Sequence, residues 1–108
     1  MTTQEKIKRF QALISPDTAS DELAGILLEQ AEGIVLNRRY PFGIPENAAV
    51  ETRFEYVQLR IAVELFSKMG AEGQVQHTEN GISRIYEAAD VSPSLLRQII
   101  PMAGSVGT

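Results

Sequence analysis

Apolar residues recur three and four positions apart over three stretches of this chain, and beyond Gly70 that spacing is lost. In residues 3–14, Ile7, Phe10, Leu13 and Ile14 fall on one side of a helix while Glu5, Lys6, Lys8 and Arg9 turn elsewhere. Pro16 ends this helix, and the polar run SPDTASD offers Thr18 and Ser20 as N-caps for a second helix over about residues 21–38. Its apolar set, Leu23, Ala24, Ile26, Leu27, Leu28, Ala31, Ile34 and Val35, is broad enough to meet two neighbours. Asp21 and Glu22 complement the positive end of the helix dipole. Arg38 and Arg39 complement the negative end, so capping accounts for the basic pair without a phosphate ligand.

The run YPFGIPEN interrupts the pattern, because Pro41 and Pro45 lack backbone donors and bias Tyr40 and Ile44 toward extended geometry. It is too short and apolar for a domain boundary, and Tyr40, Phe42 and Ile44 are expected to fold back onto the core. A long third helix is predicted over residues 48–69, with two separate apolar sectors. Val50, Phe54, Val57, Ile61 and Leu65 form one; Tyr56, Leu59, Ala62, Val63 and Phe66 form the other. The seams carry Glu51, Glu55 and Gln58 on one side and Arg53, Arg60, Glu64 and Lys68 on the other; the carboxylates Glu51, Glu55 and Glu64 read as a solvated surface, and Arg60, Glu64 and Lys68 as a solvated i,i+4 ladder. One sector packs on the first two helices. The second takes the C-terminal helix, meets a neighbouring subunit, or belongs entirely to the internal core.

After Gly70 the signal is that of a ribbon. Asn80-Gly81 suits a two-residue hairpin turn, which needs positive φ at both central positions. It would pair His77 with Arg84, Gln76 with Ile85 and Val75 with Tyr86. Neither face of the ribbon is apolar, and an isolated hairpin is marginal in water, so it calls for a supporting surface or another strand. Ser92-Pro93 then reads as N-cap and first residue of a short helix whose apolar face is Leu95, Leu96, Ile99 and Ile100, closed by Pro101. The predicted architecture is mainly α: one domain over residues 1–108, a small bundle of about four helices with one β-hairpin between the long third helix and the short C-terminal helix.

Composition narrows the function more by exclusion than by indication. A chain of 108 residues, 44% hydrophobic and 22% charged, can bury one real core, and it has no apolar run long enough for a membrane span. There is no cysteine, hence no disulfide and no thiolate metal site. His77 is the only histidine, so neither a two-histidine metal site nor a serine–histidine–aspartate arrangement around a second histidine can be assembled. No grouping implies a cofactor. Gly70-Ala71-Glu72-Gly73 matches a bare GxxG, but the anionic Glu72 would repel a phosphate. A net charge of −4 opposes a large basic footprint, which disfavours the alternative of a small helical DNA-binding or regulatory module of a mobile element.

The run RFEYVQLRIAVELFSKMGAEGQVQHTENGISRIYEAADVSPSLLRQIIP resembles the C-terminal half of phage head-to-tail connector proteins, the gp6-like head completion or adaptor family. The likeness rests on the long helix ending at Met69-Gly70, the Glu72-Gly73 step, the NGISRIYE strand with Gly81, Ser83, Arg84 and Tyr86, and the final LLRQIIP. It implies a non-enzymatic structural adaptor that forms a ring, dodecameric when assembled, beneath the portal of a tailed phage or prophage capsid. The implied partners are the portal protein, a stopper or tail-completion protein and further copies of the chain, with DNA passing through the channel without specific binding. The implied location is the virion, reached from the host cytoplasm, with no membrane involved. Residues expected at protein interfaces are Val75, Ile82, Arg84, Ile85 and Tyr86 of the hairpin and Leu95, Leu96, Ile99, Ile100 and Met102 of the C-terminal region.

Overall fold

A computed structural model of the chain describes residues 1–71 and 91–102. The predicted hairpin, with Val75, Ile82, Arg84, Ile85 and Tyr86, lies outside the described residues. Within them the fold is helical, with four α-helices and no strand: α1 (Thr3–Ile14), α2 (Asp21–Arg39), α3 (Glu55–Ala71) and α4 (Pro93–Leu96).

Local chemistry sets the helix starts. The Thr2 hydroxyl accepts from the Glu5 backbone N–H (3.1 Å) and the Glu5 carboxylate accepts from the Thr2 N–H (2.7 Å), a reciprocal box that satisfies two donors otherwise orphaned at the start of α1. Ser20, one of the two expected caps, accepts from Leu23 N–H (3.0 Å) and opens α2. Between them Gln11 donates to the Ala19 carbonyl and to Asp21, both at 2.9 Å, which ties the end of α1 to the beginning of α2.

The third helix begins later than the periodicity indicates. Residues 48–51 are non-helical, a short 3₁₀ turn occupies Thr52–Phe54, and α3 starts at Glu55. Extended backbone at Glu51 (φ −65°, ψ 149°) accompanies a carboxylate that accepts from Arg39, so a tertiary contact takes the place of a helix turn. α3 packs most extensively on α2, then on α1, and α4 lies against it as well. Most of both apolar sectors is thereby internal: Val57, Ile61 and Leu65 are buried, and so are Leu59, Ala62 and Phe66. Phe66 meets Phe10 of α1 edge to face, with centroids 5.9 Å apart and planes at 86°. Tyr56 is exposed and Val63 half-buried, and these two are what the second sector leaves uncovered.

The reading of Glu51, Glu55 and Glu64 as a solvated surface is corrected. Glu55 and Gln58 are buried. Lys6 donates to the Gln58 side-chain oxygen (2.7 Å), Gln58 donates to the Leu28 carbonyl (2.9 Å), and Glu55 lies 3.0 Å from the Met1 amine and 3.9 Å from the Lys6 ammonium. A buried polar side chain is tolerated when its donors and acceptors are met, and here α1 and α2 supply the partners. Glu64 is occupied too: its two oxygens accept from the Ser92 N–H (2.8 Å) and the Ser92 hydroxyl (2.7 Å), which fixes the start of α4 to the flank of α3. Ser92 stands at the N-cap of α4 with Pro93 behind it as expected, yet its hydroxyl serves Glu64 and not its own helix.

Candidate functional site

The C-terminal end of α2 is where the least satisfied surface collects. The linker 40–47 leaves from it, and the last described residues return to it. The expectation that Phe42 and Ile44 pack onto the core is overturned: Phe42 is 71% exposed and Ile44 is exposed as well, while Tyr40 is half-buried. Two positive-φ residues, Gly43 (126°) and Asn47 (67°), and the bonds Gly43 N–H to Tyr40 carbonyl and Ala48 N–H to Pro45 carbonyl, both 3.1 Å, fold the linker into consecutive turns. Turns this tight carry the apolar side chains outward.

Opposite the linker, the segment after α4 is held by arginines. Arg38 donates to the Leu96 carbonyl (3.1 Å) and Arg39 to the Ile100 carbonyl (2.8 Å), while the Met102 N–H donates to the Arg39 carbonyl (2.8 Å). The basic pair stands in the last turn of α2, as the helix dipole favours, and its hydrogen bonds reach the carbonyls of a different segment. Arg39 is the hub. It also donates to Glu51 (2.6 Å), and its guanidinium lies 5.7 Å from the Phe54 ring centroid and 5.9 Å from that of Tyr40. Arg53 approaches the Phe54 ring from its own side at 4.8 Å.

Of the C-terminal residues expected at an interface, Leu95 and Ile99 are inside the core and Leu96 is half-buried. Ile100 (58% exposed) and Met102 face outward. Arg39 holds their segment at the end of α2, the pole of the bundle from which the linker carrying Phe42 and Ile44 departs. Sequence reasoning singles out Ile100 and Met102 but misses Phe42 and Ile44. The signal that could have found them is the pair of prolines flanking Phe42-Gly43-Ile44, which favours turns over a return to the core.

The hydrogen bond from Arg39 holds the Glu51 carboxyl below the ordinary glutamate value of 4.5, and the nearby Arg53 charge acts in the same direction. A carboxyl whose acidity is raised by folding contributes stability above its unfolded pKa and loses it as the pH falls through its folded value. The pole should therefore loosen on acidification below about pH 4.5. Melting curves of the wild type and of Glu51→Gln from neutrality down through the carboxylate range test this. The variant should melt lower near neutrality and show a shallower acid slope; parallel curves would dissociate Glu51 from the effect.

No cluster among the described residues could hold a metal ion, and no described helix is long and apolar enough to cross a membrane. What the pole can do chemically is bury apolar area against another protein. Comparison with known protein families shows which kind: the model of the phage gp6-like head-tail connector protein matches residues 2–101. The chain belongs to the phage gp6-like head-tail connector family. The match takes in the first two helices and the YPFGIP turns as well as the C-terminal half. This is a family of structural connectors, and membership implies interaction with other phage head and tail proteins. Neither the curated proteins nor the solved structures yield a match.

Proposed function

We propose that this connector is a head completion adaptor: copies form a ring, dodecameric when assembled, beneath the portal of a tailed phage or prophage capsid. The ring extends the DNA channel and offers the platform on which a stopper or tail-completion protein docks. The observation that carries this reading is the family match along nearly the whole chain. The exposed apolar residues support it, since Phe42, Ile44, Ile100 and Met102 are four of the six large apolar side chains that lie in the open among the described residues. Ile85 and Tyr86 act as anchors against the portal or a neighbouring subunit. The net charge of −4 suits a channel through which DNA slides without sticking.

Co-sedimentation of the purified chain with the cognate portal, followed by negative-stain imaging, tests the reading. Ring-shaped density added to one face of the portal is the expected result. A chain that stays in the supernatant at every concentration tried would end the proposal.

A further inference from the structure

Resting on the adaptor reading, we infer the surface through which neighbouring copies meet: a groove along the outer face of α3 that receives the outer face of α2 from the next copy. The groove has a volume of roughly 670 Å³ and is lined by Leu13 of α1, by Arg60, Val63 and Glu64 of α3, and by Ser94 and Leu95 of α4. Tyr56, Arg60 and Val63 recur at i, i+4 and i+7, so they form one stripe along the helix. Leu13 is 51% exposed and Tyr56 60% exposed, although both stand on helices whose remaining large apolar residues are mostly covered.

The charges say what fits there. The Glu64 oxygens accept from Ser92, whereas Arg60 forms no ion pair among the described residues; Arg9 donates to the Tyr56 hydroxyl (3.2 Å) and its charge also acts on Glu5. Glu64 keeps its negative charge, because Ser92 is neutral, but its oxygens are occupied; the charged group in the groove with unmet donors is the Arg60 guanidinium, set among aliphatic and aromatic groups. The groove's occupant should pair carboxylates with an aliphatic side chain at helical spacing.

The chain carries such a face itself. Glu22, Ile26 and Glu29 stand at i, i+4 and i+7 on α2, with Glu32 beside them, and none of these carboxylates forms an ion pair among the described residues. Gly33 continues the stripe with open space where a Cβ would stand, so a neighbour can approach the backbone there. Because α2 and α3 pack directly on each other, their outer faces point away from one another. A contact between two different patches on opposite sides of a subunit propagates head to tail, and such a contact closes into a ring when the rotation permits.

Charge reversal tests the pairing, since Arg60 and Glu29 are both exposed and their replacement leaves the core intact. On the cognate portal, Arg60→Glu alone sets two carboxylates against each other across the contact, and Glu29→Arg alone sets two guanidinium groups against each other. Each should raise the concentration for half-maximal ring formation roughly tenfold or more. An equimolar mixture of the two alternates around the ring with every contact matched, and the double variant restores a matched pair between identical chains, so both should recover assembly. Circular dichroism should show all forms equally helical. Single variants that assemble like the wild type, or a mixture and double variant that stay as defective as the singles, would overturn this interface while leaving the adaptor reading in place. A wild-type chain that never assembles would remove the adaptor reading and this contact together.

Discussion

Phe10→Ala should destabilise the protein by about 3–5 kcal/mol, the range found for truncating a fully buried aromatic residue. Phe10 is wholly inaccessible and sits edge to face with Phe66, so the change removes the transfer free energy of the ring, the aromatic contact and the packing of everything that touched it. Helices α1 and α3 are the walls of the resulting void. They are joined by few polar bonds that could draw them together, Lys6 to Gln58 and Arg9 to Tyr56 among them. Domains of this size hold only about 5–15 kcal/mol in total, so the variant should sit near the edge of folding. Urea unfolding would read the effect as a lower midpoint at unchanged slope. Phe10→Leu should recover most of the loss, because it keeps most of the buried volume. A midpoint shift worth less than about 1 kcal/mol for the alanine variant would mean that Phe10 is not central to the core.

The second large effect concerns binding and should leave stability almost untouched. Phe42→Asp together with Ile100→Asp should weaken association with the portal or tail partner by about 2 kcal/mol or more, roughly thirtyfold, the loss expected of interface anchors. Both side chains are largely in water before assembly, so replacing them removes little folded-state packing, and the melting temperature should move little. A carboxylate brought into an apolar contact would then be desolvated without a partner. Sedimentation with portal and with the tail-completion protein, measured separately, would also assign the pole to one side of the connector. Wild-type binding to both partners would show that the pole is not a docking surface.

How far these expectations can be read from the chain depends on the range of the interactions involved. α1 and α2 are written locally: Thr2 with Glu5, and Ser20 with Leu23, are contacts across three residues, and the apolar stripes follow the helical repeat. The short α4 is legible for the same reason, in Ser92-Pro93. The start of α3 is not, because Glu51 answers to Arg39, twelve residues away, and not to the next turn of its own helix.

Polar residues mislead most. A carboxylate on a helix seam reads as solvated whenever its neighbours in sequence are charged, and sequence spacing cannot show that Gln58 will meet Leu28 or that Glu64 will meet Ser92. Each of those partners lies about thirty positions away. In the same way the arginines at the end of α2 have the sequence position of its caps, while the carbonyls in front of them belong to residues 96 and 100. The family is legible in the chain, and the match over residues 2–101 extends it to the first half, where no single motif is specific.

Residue order alone thus settled that the described residues are helical, where the first two helices begin, that no second histidine or any cysteine is present for chemistry, and that the chain is a connector. Those features depend on local backbone satisfaction, side-chain period and inventory, none of which needs long-range contact. Only the packed structure decided that most of both sectors of α3 is internal, that Glu55 and Gln58 on its seam are buried, and that Phe42, Ile44, Ile100 and Met102 are exposed. Whether an apolar side chain is covered depends on what lies across from it, and long-range bonds such as those of Arg39 and Glu64 bring that surface into place.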